Sequence, residues 1–275
     1  MKKGVVRKAL FNTLGLLLAC IIISPLVWLF ISTFKPNVEI MATPFRLFPS
    51  HWVLDNYTAL FSDPIYNYLR AYFLTLQLGV VIAILSLYVN MSAAYVFARL
   101  SFLGKKLLWG LCITSMYIPG LTITVTAFLV AYYLKLLNSF AVIILPAMAS
   151  GYAIFFFRQF FLNVPRSFEE AAMIDGASRY TIFLRIFVPL STSPMVIIGT
   201  SAFLAVWNSF LWPAITMTDP SKTMIMQVVL SFRTTVTIRY GPMVAAAALG
   251  AAMPIFVFML FHKKIVKGIL LSGMK

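Results

Sequence analysis

Long uncharged apolar stretches alternate with short polar ones along this chain. The first covers residues 10–34, and others follow near 71–98, 107–134, 140–157, 186–214 and 243–261. Each is close to or above the ~20 apolar residues with which a helix crosses ~30 Å of hydrocarbon. The pattern predicts an all-α membrane protein with six transmembrane helices, forming a single domain over residues 1–275. Lys2, Lys3, Arg7 and Lys8 ahead of the first stretch imitate a signal peptide, whose apolar core is only ~7–15 residues and precedes a small-residue cleavage site. This run is longer and stops at Lys35-Pro36, so a retained anchor is expected.

Composition agrees with that reading. The chain is 61% hydrophobic and 11% charged, whereas a soluble domain carries about 25% charged residues. A net charge of +15 would suggest a nucleic-acid partner in a soluble protein, but its distribution points to topology. With the N-terminus inside, the inner segments hold Lys2, Lys3, Arg7, Lys8, Arg99, Lys105, Lys106, Arg158, Arg166, Arg179, Arg185, Lys263, Lys264, Lys267 and Lys275, fifteen of the 22 basic residues. The bias sets orientation, so both termini are expected to be cytoplasmic, with attraction to anionic membrane lipid as a secondary effect and no nucleic acid involved. Cys20 and Cys112 fall inside predicted spans, where free thiols serve as small apolar fillers.

Three polar segments interrupt the pattern. The outer segment 36–67 mixes Pro44, Pro49 and Pro64 with Trp52, Tyr57, Tyr66 and Tyr68, which suits an interfacial loop or a docking surface. The outer segment 215–241 carries Lys222, Arg233 and Arg239 and reads as a solvated loop or a partner site. The inner segment 163–185 is the most specific. Val164-Pro165 ends the preceding helix. Ser167-Phe168-Glu169-Glu170 has capping-box spacing, with the Ser167 hydroxyl accepting from the Glu170 amide and the Glu170 carboxylate returning to Ser167. A helix of about two turns is expected from Phe168 to Gly176, with Gly176 left-handed at its end. Glu169 and Glu170 favour its positive dipole end, and so short a helix needs packing to persist. Phe168, Ala171, Ala172 and Asp175 fall on one face, an aromatic ring beside a patch small enough for another backbone to approach. Ser178 then caps a second helix through Ile182 and Ile186 toward Pro189 and the next span. The residues alone fit either a peg for a partner's groove or a connector on the membrane surface.

From Glu170 the sequence reads Glu-Ala-Ala, three residues, Gly176, nine residues, Ile186, one residue, Val188 and Pro189. This resembles the EAA motif of ABC importer permeases, E-A-A-x3-G-x9-I-x-L-P, with Val188 where leucine is usual. A wider similarity to the smaller permease subunit of maltose-transporter-type carbohydrate importers runs through Phe34-Lys35-Pro36, Asp55-Asn56-Tyr57, Ala98-Arg99, Arg158-Gln159-Phe160-Phe161, Ile174-Asp175-Gly176-Ala177, Trp207-Asn208-Ser209-Phe210-Leu211-Trp212-Pro213 and Lys267-Gly268. It departs at Tyr72-Phe73-Leu74-Thr75, where an Asn-Ser pair is common, and in the tail from Leu271 to Lys275.

The resemblance implies the type I ABC importer permease fold in the bacterial cytoplasmic membrane. It further implies a second homologous permease, two ATP-binding subunits and an extracytoplasmic solute-binding protein as partners. ATP and magnesium would sit on the ATPase subunits, and this chain, not itself an enzyme, would hold no cofactor or metal. The solute would be a carbohydrate or relative: an oligosaccharide, monosaccharide, polyol or glycerol phosphate. Glu170, Ala171, Ala172, Asp175 and Gly176 would form the coupling helix seated on the ATPase, with Ser167 as cap and Ile186 and Pro189 in the lever behind it.

The source of energy is constrained independently. No G-x-x-x-x-G-K-[ST] occurs, so no P-loop binds ATP in this chain. The seven acids fall in loops or at span ends, which disfavours an ion-coupled carrier. An ATP-independent carrier or channel and a non-transporting scaffold remain the alternatives. Within the spans Gln77, Asn90, Ser115, Thr122 and Thr124 are expected to bond between helices. Trp207, Asn208, Ser209 and Trp212 are the candidates for the translocation path, and Pro119-Gly120 is expected to kink the third span.

Overall fold

A computed structural model describes residues 2–233 and 238–273. Lys275 and the side chains of Lys2, Lys3, Arg7 and Lys267, assigned above to the inner side, lie outside the described part. The main elements are α1 (Lys2–Ser32), α2 (Asp55–Phe61), α3 (Tyr68–Arg99), α4 (Lys105–Ser115), α5 (Gly120–Tyr133), α6 (Ala141–Met148), α7 (Gly151–Leu162) and α8 (Ser167–Ile174). They continue with α9 (Arg179–Leu190), which contains a π turn at Phe183–Phe187, then α10 (Thr192–Trp207), α11 (Leu211–Thr216), α12 (Ile225–Ser231) and α13 (Tyr240–Gly273). Among the described residues the only β pairing is an isolated bridge between Arg233 and Ile238.

Four stretches are long and apolar enough to cross a membrane: Leu10–Ser32, Tyr68–Arg99, Ala141–Leu162 and Tyr240–Ile265. The count reaches six when α4 with α5, and α9 with α10, are each taken as one span. Six is the number of spans that the apolar pattern predicts, and two of them are bent. The first turns by 108° and the second by 83°. Pro119 adopts an extended conformation ahead of α5. Proline has no N–H to continue the helical ladder, so the turn falls where the sequence placed a kink but is far sharper than one. At the second bend Pro189 likewise deprives the Arg185 carbonyl of its partner, and the preceding turn widens so that Val188 donates five residues back to Phe183. Ser191 then closes the bend, its hydroxyl donating to the Phe187 carbonyl at 2.6 Å.

The chain divides into two compact units. One comprises Met1–Leu69 and Val228–Met253. In it, Leu10, Phe11, Ile21 and Ile22 of α1 are each more than 60% exposed, as expected of a helix that is apolar all round and meets lipid. The expected interfacial loop contains α2, and it is tied down by polar side chains. The buried Asn56 donates to the carbonyls of Thr33 (2.8 Å) and Lys35 (2.7 Å), and Asn37 accepts from the Gly241 amide at 2.7 Å. Arg239 pairs with Asp63 at 3.2 Å.

The other unit, Arg70–Gln227 with Pro254–Lys275, carries both candidate sites. One of its cores joins Tyr95, Phe157, Phe161, Ile182, Phe187 and Ile198, from α3, α7, α9 and α10. A second gathers Leu78, Ile82, Val142, Val206 and Met217. Helices α6 and α7 are separated by Ala149-Ser150, whose extended backbone interrupts the helical ladder. Asn90 of α3 repairs the break: its amide nitrogen donates to the Met148 carbonyl (3.1 Å) and its oxygen accepts from the Ser150 amide (2.8 Å). This is how irregular backbone survives at membrane depth. Gly151 follows because a Cβ there would meet the Cys112 carbonyl of α4 at 2.8 Å.

Candidate functional site

The segment from Val164 to Ser191 is organised by charge and caps. The capping box expected at Ser167 does not form, and this is a correction. Arg166 holds the cap position, and its carbonyl accepts from the amides of Glu169 (2.9 Å) and Glu170 (3.0 Å), so α8 begins at Ser167, one residue early. Ser167 is already inside the helix and makes no cap bond. Two arginines draw the Glu169 carboxylate inward: Arg99 Nε lies 3.0 Å from Oε1 and Arg179 Nη1 3.4 Å from Oε2. That attraction sets the roll of α8. Glu169 is buried and Ala172 half-buried, while Phe168, Glu170, Ala171, Met173, Ile174 and Asp175 are exposed. The expected face is therefore split, with Ala172 turned to the core and Ile174, 87% exposed, joining the outer surface.

The C-terminal end forms as the spacing predicts. Gly176 has φ +77°, its amide donates to Met173 (3.0 Å), and Ala177 donates to Ala172 (2.9 Å). That pair of bonds is a Schellman motif, and the left-handed residue it requires is supplied by glycine at least strain. Ser178 caps α9, its hydroxyl oxygen accepting from the Thr181 amide at 3.2 Å. Ile186 packs against the core, and Pro189 lies exposed ahead of the 83° bend.

A cavity of about 680 Å³ lies in the same unit, lined by Ser86, Thr124, Ser150, Tyr152, Ser201, Ser209 and Trp212 among smaller apolar residues. Its size falls within the 300–1,000 Å³ typical of small-molecule sites. Among the described residues, none that is charged contributes to the wall. Two of the hydroxyls spend their proton on a carbonyl of their own helix, Thr124 on Gly120 (3.1 Å) and Ser201 on Ile197 (2.9 Å), which leaves their oxygen lone pairs to the surface. Trp212 is fixed by its indole N–H donating to the Val142 carbonyl at 2.9 Å.

Of the four path candidates, Ser209 and Trp212 line this cavity, and Trp207 and Asn208 do not. Trp207 is 2% exposed, stacked on Phe203 with ring centres 5.7 Å apart and met edge-on by Tyr72 at 5.1 Å. Asn208 is exposed beyond the end of α10. Among the in-span polar residues, Asn90 bonds between helices, whereas Ser115, Thr122 and Thr124 bond within their own. Arg99, Glu169 and the serines at 86, 150 and 201 were given no site role from sequence. The available signal for Arg99 was its position as the first charge after a long uncharged run.

These features define a polytopic helical protein with an exposed charged-and-apolar short helix and an uncharged cavity. Comparison with known proteins agrees. Residues 90–270 match the family described as "Binding-protein-dependent transport system inner membrane component". The chain is 31% identical over 262 residues to the diacetylchitobiose uptake system permease protein NgcG of Streptomyces coelicolor, covering 94% of this chain and 85% of that protein. It is 27% identical to the arabinooligosaccharides transport system permease protein AraQ of Halalkalibacterium halodurans (94% and 93%) and 28% identical to the sulfoquinovosyl glycerol transport system permease protein SmoH of Agrobacterium fabrum (91% and 88%). The fold matches a chain from the crystal structure of a bacterial ABC transporter involved in the import of the acidic polysaccharide alginate, with a TM-score of 0.74 over 100% of this chain and 99% of that one at 17% identity. The chain belongs to this family of inner-membrane permease subunits of binding-protein-dependent ABC importers, and is a multi-pass protein of the bacterial inner membrane.

Proposed function

We propose that the chain is one of two permeases in an ATP-driven importer of a carbohydrate, and that α8 is the surface on which an ATP-binding subunit docks. The observation that carries this reading is the outward face of α8, where Phe168, Glu170, Ala171 and Ile174 stand exposed on a helix of eight residues. A helix this short is marginal in water, and an exposed aromatic and aliphatic pair beside a carboxylate fits a groove with a basic residue in it. Residues 1–275 act as one transmembrane unit, with α8 and both termini on the cytoplasmic side. ATP and magnesium are held by the partner subunits, a solute-binding protein delivers the solute from outside, and a second permease completes the path.

The uncharged wall of the cavity supports a neutral carbohydrate rather than glycerol phosphate. Hydroxyl oxygens and an aromatic ring can receive sugar hydroxyls and an apolar sugar face, and among the described lining residues there is no cation to offset a phosphate. The docking reading is tested with Glu170→Lys combined with Gly176→Leu in the assembled transporter. The expected result is loss of both ATP-binding-subunit co-purification and uptake; normal uptake by the variant would sink the reading.

A further inference from the structure

The two adjacent carboxylates of α8 face opposite ways. Glu170 is exposed, whereas Glu169 is buried between Arg99 and Arg179. The Arg99 and Glu169 side chains are only 6% and 7% exposed. Arg99 is the last residue of α3, and its guanidinium is shared among three elements besides its own. It pairs with Glu169 of α8, donates through Nη2 to the carbonyls of Phe161 and Val164 at the end of α7, and lies 5.1 Å over the Phe187 ring in α9.

A buried ion pair is weak as a source of stability. Taking two charges out of water costs several kcal/mol per ion, and replacing such a pair with apolar residues of similar size is often neutral or stabilising. What the pair supplies is a charge contact that fixes α8 against the end of α3: the 3.0 Å approach of Nε to Oε1 is an ion pair without a hydrogen bond, and the carboxylate accepts its side-chain hydrogen bond from Arg179 Nη1 at 3.4 Å. The inward side of α8 otherwise offers little: Ala172 is half-buried, and the remaining side chains are exposed. An applied displacement of α8 therefore reaches the bundle through Glu169, through Ala172, which packs against the core, and through the chain at both ends of the helix.

The path continues to the cavity. Asn90 lies nine residues before Arg99 on α3 and holds the Met148–Ser150 break between α6 and α7. Ser86, thirteen residues before Arg99, lies in the cavity wall with Ser150. At 1.5 Å per residue that is about 20 Å of continuous helix from ion pair to wall.

We propose that the Arg99–Glu169–Arg179 cluster is the latch that transmits displacement of α8 into α3 and the cavity wall, so that it sets how much solute moves per ATP hydrolysed. Glu169 and Arg99 are positioning residues in this scheme, touching neither nucleotide nor solute. The proposal rests on the docking reading of α8.

The test uses the whole transporter in proteoliposomes, with ATP hydrolysis and solute uptake read in the same vesicles. Glu169→Gln removes the charge and keeps the shape. The pair Arg99→Met with Glu169→Leu removes both buried charges together, so neither is left buried and unpaired, while the Phe161 and Val164 carbonyls lose their donor and the half-exposed Arg179 turns to solvent. In both, the ATP-binding subunits are expected to co-purify and ATP to be hydrolysed, while uptake per ATP falls about tenfold. Glu169→Asp, which keeps the charge, is expected to restore most of that ratio. An unchanged ratio in both variants, or hydrolysis and uptake falling together as assembly is lost, overturns the latch. Failure of the docking reading looks different: Glu170→Lys then co-purifies normally, while the ratio measured in the Glu169 variants still decides the latch.

Discussion

In the segment from Val164 to Ser191, position is dictated by an ion cluster and a few directional interactions: a Schellman end, a serine cap and a proline-induced π turn. In the cavity wall it is dictated by the absence of bulk. Ser86 comes from α3, Ser150 from the α6–α7 break, and Ser201 and Ser209 from α10 and its C-terminal end, and what they share is a small polar residue lining the same space. Directional interactions demand particular residues at particular spacings, because a bond one position away does not form. Space makes no such demand, since several small residues leave the same volume. A segment ordered by directional contacts therefore leaves a readable signature in sequence, and a cavity leaves hardly any.

The sharpest break in that comparison is expected from Glu170→Lys with Gly176→Leu, which reverses the charge on the exposed face and forces a bulky residue into the left-handed region at about 1–2 kcal/mol. Uptake is expected to vanish, with loss of the ATP-binding subunit on affinity purification. If the pair still assembles, the segment is no more specific than the wall. Next in size is the latch variant Glu169→Gln, whose tenfold loss in uptake per ATP distinguishes transmission from docking.

Asn90→Leu comes third. It strands the Met148 carbonyl and the Ser150 amide at about 1–3 kcal/mol each, so thermal unfolding of the purified complex is expected to shift downward. An unshifted transition would mean that the α6–α7 break is held by something other than this side chain. The cavity itself is probed by Ser201→Phe. It is expected to slow uptake by about tenfold, the order of a steric mismatch in a pocket, with the ATP-binding subunits still associated; undiminished uptake would remove this cavity from the path.

The smallest effect is expected at the loop after α11. The hydroxyl and backbone amide of Ser221 hold the Asp219 carboxyl below the usual aspartate range, as Lys222 also does. A depressed folded pKa means that the contribution is fully present above the unfolded value and lost only as pH falls through the folded one. Hydrogen exchange at the Ser221 amide, which donates to Asp219 at 2.9 Å, should therefore show no change in protection beyond the intrinsic pH trend between pH 8 and 5. A drop in protection near pH 6 would assign control of this loop to another group.

Local chemistry explains what was readable. Gly176 and Ser178 form the motifs expected of them because a helix end is decided within about four residues. Ser167 failed for a nonlocal reason: arginines 70 residues upstream and 10 downstream claimed Glu169, and with it the register and roll of α8. Pro119 and Pro189 marked where the spans break, but the 108° and 83° turns depend on what each half packs against. Trp207 and Trp212 are equivalent as residues in one aromatic motif. Packing buries Trp207 against Phe203 and Tyr72 and leaves Trp212 at the cavity.

By itself, then, the sequence determined the apolar spans, the coupling motif and the family, because each rests on composition or on fixed spacing along the chain. Tertiary structure alone decided which of two neighbouring glutamates faces outward, how α3 joins the ion cluster to the cavity, and which tryptophan lines it. Those outcomes depend on contacts between residues tens of positions apart, which no local pattern of the chain specifies.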